Sequence, residues 1–452
     1  MFRPGRALHR GMTPALGLAW YTTSQSDWET DRMPASRLKF ESLPHAIFLQ
    51  RVSGPQGATS LEARLGQGAF LALRLVDLLA PDRPPVSGDA FHYQWIATDR
   101  FCAELRAAAT EGAHVHGIAE STADAHRLGD IRLIAPALFA YAHFLEEELR
   151  LEEAVDVLTT LVVVVASRLS AKDAVAARLR FARVHRKLNR FDEAEAAYAE
   201  AGEMASAAGD RYSALLSRIG LANTILGRGN LPEAERRLRG ILADAHVAGE
   251  RDVEARAEHG IGVALHLMGQ APDAIPHIWR AFELYDEDDS RMRALNDVGV
   301  MLLTLGDAVG AERALSEVVR RGGTPDNTSN ALIELMHAAS YRRDHVGFAR
   351  WRERCDERLE HMPPNILADF YLKQGIGQAR FGRFRRAEAL LTQALEIAGA
   401  AGLHELEFRV ERIRSGLADC ERVLAVEPQT TETVVQTDEL RQVSASLAQL
   451  VG

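Results

Sequence analysis

The sequence predicts an all-α protein: a solenoid of about seven helix-turn-helix repeats, with a C-terminal capping helix and a helical N-terminal extension. Three observations predict it. A short pattern recurs seven times at nearly constant spacing, with an alanine at the same place in six of the copies. All copies but the sixth carry a small residue about twelve positions earlier, and five have a glycine or asparagine between the two. Alanine is abundant and proline sparse through the middle of the chain, which favours helix.

Taken from the N-terminus, residues 1–58 show no usable period, although Trp20, Tyr21, Trp28, Phe40 and Phe48 fall there. Residues 59–130 read as a helical cap region. A buried helix spans Leu61 to Leu79 and is ended by Pro81, Pro84 and Pro85. A second helix, Asp89 to Ala109, places Phe91, Trp95 and Cys102 near one face, because residues three, four or seven apart share a side. The two are expected to form a degenerate hairpin closing the array.

The repeats occupy residues 131–402. Their shared alanine stands at Ala154, Ala194, Ala234, Ala274, Ala311 and Ala387, with Phe348 in the sixth copy, so the intervals are 40, 40, 40, 37, 37 and 39. The earlier small residue is Ala142, Ala182, Ala222, Gly262, Gly299 or Gly375, with Met336 in the sixth copy. Helix axes approach to ~8–10 Å only where side chains are small. The turn residues Asn189, Gly229, Gly269, Gly306 and Gly382 tolerate the positive φ that stops a helix. After the repeats, 403–424 carries an apolar stripe, Leu406, Val410, Ile413, Leu417 and Cys420, as a capping helix requires. In 425–452 a polar linker leads to a short helix with Leu440, Val443, Leu447 and Leu450 on one face. That helix would either fold back onto the solenoid or serve a partner.

These small–turn–alanine sets resemble the tetratricopeptide repeat family. The usual family period is ~34 residues, and the longer period here resembles the variant common in bacterial regulators and peptide sensors. The resemblance implies a right-handed superhelical solenoid in which the first helix of each pair lines a concave groove. In-phase positions then give Arg183, Arg186, Asn223, Arg256, His259, Arg293, Asn296, Asn330, His337 and Lys373 as candidate contacts for a peptide or protein partner. An asparagine amide both donates to and accepts from a peptide main chain. Arginine grips a carboxylate bidentately, which suits an acidic segment or a C-terminal carboxylate.

Composition excludes other classes. The net charge is -10, whereas nucleic-acid binders usually present a basic face. No apolar run approaches the ~20 residues of a membrane span. Three separated cysteines, Cys102, Cys355 and Cys420, form neither a disulfide framework nor a metal pattern, which points to a reducing cytoplasm. His259 and His266 lie two helical turns apart, too far to share one zinc ion unaided. No phosphate loop and no nucleophile elbow occurs. The expectation is therefore a scaffold or adaptor with no catalytic residues, metal or cofactor. The alternatives are a peptide-sensing regulator acting on a separate output protein and, third, an enzyme with its site in the N-terminal third.

Overall fold

Each glycine or asparagine turn in the repeats stops a helix in the computed structural model, which describes residues 43–54, 57–81, 84, 86–423 and 437–451. Asn189, Gly229, Gly269, Gly306 and Gly382 all adopt positive φ, from 57° to 83°. Among the described residues every regular element is helical. Repeat 1 pairs α5 (Ala135–Glu147) with α6 (Leu151–Thr160), and repeat 2 pairs α7 (Ala171–Lys187) with α8 (Phe191–Ala207). Repeat 3 comprises α9 (Arg211–Gly227) and α10 (Leu231–Ala248), and repeat 4 α11 (Arg251–Leu267) and α12 (Ala271–Leu284). Repeat 5 is α13 (Asp288–Thr304) with α14 (Ala308–Arg321), repeat 6 α15 (Pro325–Tyr341) with α16 (His345–Asp356), and repeat 7 α17 (Pro364–Arg380) with α18 (Phe384–Ala400). The apolar run Leu161–Val165 continues α6 as a π-helical turn.

The recurring alanines mark the places where paired helices touch. Ala154, Ala194, Ala234, Ala274, Ala311 and Ala387 are fully buried. Their partners are small because nothing larger fits: a Cβ on Gly299 would lie 2.6 Å from Leu315, and one on Gly375 3.1 Å from Leu391. Repeat 6 departs from the pattern, yet Met336 and Phe348 are both buried. The room for Phe348 comes from the next repeat. Its ring lies against Gly377, where a Cβ would be only 2.3 Å away.

The N-terminal end holds more structure than its sequence suggests. A short helix α1 (Ala46–Leu49) and a 3-10 turn (Gln50–Ser53) precede α2 (Leu61–Asp77), α3 (Gly88–Arg106) and α4 (Thr110–Leu128). The expected hairpin of α2 and α3 is a larger bundle, because α4 packs on both. Gly112 allows this: a Cβ there would meet the Leu105 carbonyl oxygen at 2.1 Å. The α1 segment is tied down by buried charge. Arg51 donates to Glu153 at 2.7 Å and to Glu111 at 3.1 Å, while Tyr141 donates to Glu111 at 2.8 Å. His45 bridges Asp156 at 2.5 Å and Asp77 at 3.4 Å. Phe48 is completely buried beneath.

At the other end α19 (His404–Val423) packs on α17 and α18. Its Val410 and Leu417 are buried, whereas the side chain of Cys420 lies outside the described residues. The final helix α20 (Asp438–Val451) folds back to pack on α12 and α14. Residues 1–42 and the linker 424–436 lie outside the described residues. Among the described residues, no helix is long and apolar enough to cross a membrane.

Candidate binding wall

First helices pack on first helices of adjacent repeats: α7 on α9, α9 on α11, α13 on α15 and α15 on α17. Second helices make no comparable contact with one another among the described residues. The side on which neighbours close up is the inner side of the stack, so first-helix residues form an inner wall. Polar groups on this wall reach across to the next repeat at a separation of about one period. His259 Nε2 meets Asp297 Oδ2 at 2.8 Å, thirty-eight positions on. Tyr212 donates to Asp252 at 2.8 Å, forty positions on. Arg409 donates to Asp369 at 2.7 Å, again forty apart.

The central part of the wall spans α9, α11 and α13. Arg256 is half-buried and donates to Asp252 at 2.7 Å within its own helix. His259 is buried, with Nδ1 at 3.2 Å from the Tyr285 hydroxyl and Nε2 on Asp297. Tyr285 is itself buried; desolvation raises its phenol pKa, although Arg293 and Arg256 oppose that rise. Arg293 is exposed. Asn296, one turn along α13 from Arg293, is 9% exposed, and its buried Oδ1 has no hydrogen-bond partner. Asn223 on α9 is half-buried. His259 joins α11 to α13 through Asp297, and Asn223 lies on the adjoining first helix α9.

Two further clusters flank it. On the N-terminal side, Glu146 is buried and receives Arg183 and Lys187, each at 2.8 Å. Those cations hold its carboxyl below the usual range against the opposing effect of burial. Arg183 is exposed at its edge, and Arg186 points to Tyr198. On the C-terminal side, Lys373 is ion-paired to both Glu334 and Asp369. Burial nevertheless raises the Glu334 carboxyl. The half-buried His337 is pushed well down by burial and by Arg380, Lys373 and Arg409. Arg380 lies 3.6 Å over the Tyr341 ring and donates to Ser340 Oγ at 2.8 Å. Asn330 is half-buried on α15.

The ten sequence-predicted residues therefore all sit on first helices but differ in what they can offer. Arg183, Arg256, His259 and Lys373 are engaged by carboxylates of the wall itself. Asn296 offers an unmet acceptor, and Arg293, although exposed, is turned to the Tyr285 hydroxyl. Sequence reasoning left out Tyr212, Tyr285, Asp297 and Arg380 as site residues. Of these, Tyr285 lies beyond the end of a second helix, where first-helix periodicity cannot point.

Burial raises the carboxyl of Asp326, at the start of α15; the charge of Glu147 at the end of α5 adds to that rise and Lys187 at the end of α7 opposes it. Repeat 6 thus comes within electrostatic reach of repeats 1 and 2.

The fold and this wall define a tetratricopeptide-like helical solenoid with a polar inner face. No family model matches the chain, and no curated protein does. Among solved structures, it is similar to the apo form of the quorum sensor NprR from B. thuringiensis, at 12% identity and TM-score 0.49, covering 85% of this chain and 98% of that one. It is also similar to aspartyl phosphate phosphatase F from Bacillus subtilis, at 12% identity and TM-score 0.45 over 76% of this chain and 95% of that one. A third is the apo form of RapI, at 8% identity and TM-score 0.45 over 58% of this chain and 97% of that one.

Proposed function

We propose that the chain is a cytoplasmic binding protein whose inner wall holds an extended peptide or partner segment, as a scaffold or adaptor does. The observation that carries this reading is Asn296. A buried amide oxygen without a partner costs roughly 1–3 kcal/mol. A peptide N–H would satisfy it once the amide turned outward toward the ligand. Arg293, exposed one turn away, would meet a carboxylate on the same ligand. The unpaired buried thiols Cys102 and Cys355 accord with a reducing compartment.

The reading is non-catalytic. Asp297, His259 and Tyr285 form a carboxylate–imidazole–phenol chain of the kind that could activate a nucleophile. Burial raises the Tyr285 pKa, however, so the phenol is held protonated rather than activated. The chain fastens repeat 4 to repeat 5. The sensing alternative draws on Asp326. A ligand lying between repeats 1, 2 and 6 would bridge walls that are only electrostatically in reach of each other, and so could alter the spacing of the stack.

The test uses peptides selected from a random display library on the full chain. Titration calorimetry then compares binding to wild type, Asn296→Ala and Arg293→Glu. Acidic or C-terminal-carboxylate peptides should emerge, and Arg293→Glu should weaken them by about 10-fold or more. Asn296→Ala should weaken binding while leaving stability unchanged or raised, because it removes an unmet group. Unaltered affinity in both variants would remove the inner wall as the site.

A further inference from the structure

We propose that α20 is a releasable latch occupying a helix-binding slot on the outer side of repeats 4 and 5. Repeat arrays are held by nearest-neighbour contacts, and α20 breaks that rule. The chain leaves the array at α19, beyond repeat 7, yet α20 returns to pack on the second helices α12 and α14. Those two helices do not pack closely on each other, so the space between them is open to a third.

The occupant is fixed by its pattern. Leu440, Val443 and Leu447 are 2%, 5% and 1% exposed and join the same apolar core as repeats 3 to 7. Leu450 continues the stripe, half-buried. The opposite face, including Glu439, Gln442 and Gln449, is in solvent. Positions i, i+3, i+7 and i+10 buried in an apolar groove are the signature of helix-in-groove recognition. Here the ligand is carried on the same chain.

Docking and folding of α20 are one event. The helix has fourteen residues, and isolated helices shorter than ~12–15 residues are marginal in water. Released from the slot, it should unfold. Its tether is residues 424–436, long enough in sequence to reach about 45 Å when extended. A tethered ligand of this kind has an effective concentration near ~1 mM, which favours the chain's own copy over outside ones. Release would expose the apolar stripe and the slot together, leaving a surface suited to an amphipathic helix with aliphatic residues at the same spacing.

The experiment compares the full wild-type chain with the full chain carrying Val443→Asp and Leu447→Asp. Amide hydrogen exchange is followed by mass spectrometry, and a fluorescein-labelled synthetic peptide of residues 437–452 is titrated into each. Wild type should protect 437–451. The double variant should lose that protection while residues 135–400 keep theirs. The labelled peptide should bind the variant about 10-fold or more tighter than wild type, whose slot is already filled. Leu447→Ala should give partial release, since losing one buried leucine shifts such an equilibrium by about 30-fold or more. Equal exchange of 437–451 in all three chains would overturn docking through this stripe. Release without peptide binding would overturn the slot as a helix receptor. A wild-type dimer by light scattering that the double variant loses would overturn docking within one chain and place α20 on a second copy.

Discussion

Replacing Gly240 and Gly262 by alanine, one at a time, should change stability in opposite directions. Both lie in the interior of a helix, α10 and α11, where alanine exceeds glycine by about 1 kcal/mol through reduced backbone entropy in the unfolded chain. Gly240 is exposed, and an added methyl there meets nothing within 4 Å. The full gain of about 1 kcal/mol should appear. At Gly262 the methyl would sit 2.6 Å from two carbons of Ile278 and 3.0 Å from the Ala274 carbonyl oxygen. Ile278 is completely buried and cannot swing its tip away, and the carbonyl is fixed within α12. Overpacking of this kind costs about 1–3 kcal/mol. Less the propensity gain, Gly262→Ala should lose up to about 2 kcal/mol, and the two variants should differ by about 1–3 kcal/mol. The assay is guanidinium unfolding followed by circular dichroism. Midpoints are the quantity to compare, because a long repeat array need not unfold in two states. If Gly262→Ala raised the midpoint as much as Gly240→Ala, the claim that glycine at this position permits close helix approach would be refuted.

Two further outcomes follow from the charges and backbone. His45 is desolvated, which alone would lower its pKa, but hydrogen bonds and charge from Asp156 and Asp77 raise it from 6.5 to about 9. A raised folded pKa means that the stabilisation is fully present below pH 6.5 and is lost as pH rises through about 9. His45→Asn, which tolerates the left-handed φ of 65° there, should be less stable than wild type by up to about 3 kcal/mol at low pH. That gap should close between pH 6.5 and 9 in paired urea melts; a constant gap would show that the imidazole packs rather than pairs. Arg343 is exposed and holds φ at 54°, so Arg343→Gly should stabilise by about 1 kcal/mol. A lower melting midpoint would mean that its side chain carries a contact worth more than the strain.

The repeats were legible because one rule is written seven times. Ala194, Ala234 and Ala274 are small for a reason that recurs, and recurrence is visible without coordinates. The N-terminal bundle obeys its rule only once. Gly112 is small for α4 to cross the end of α3, but a single glycine amid alanines looks like any other. The short α1 was illegible for a related cause: it is held by Arg51 and His45 reaching carboxylates up to 111 positions away. The wall was half legible. Helical phase places His259, Arg256 and Lys373 on the correct helices, but it cannot show that Asp297, Asp252 and Glu334 already hold them. That depends on how far each repeat rotates against the next, which no single repeat encodes.

One irregularity in the sequence marks the part of the molecule where most of the inferred function lies. The interval between recurring alanines drops from 40 to 37 on passing from Ala274 to Ala311 and from Ala311 to Phe348. The structure shows where the residues went. First helices α11, α13 and α15 keep 17 residues, whereas second helices α12 and α14 have 14, against 17 and 18 in α8 and α10. Three or four residues are about one turn, or ~5 Å of helix. Ending α12 one turn early sends the chain inward at Tyr285, in extended conformation, and brings its hydroxyl to His259. The same shortened pair, α12 and α14, receives α20 on the outside. A shift in repeat length is thus more informative than the repeat itself. The constant period builds the stack, and the turn missing from α12 and α14 is where a loop tyrosine joins the inner wall and a tethered helix covers the outer side.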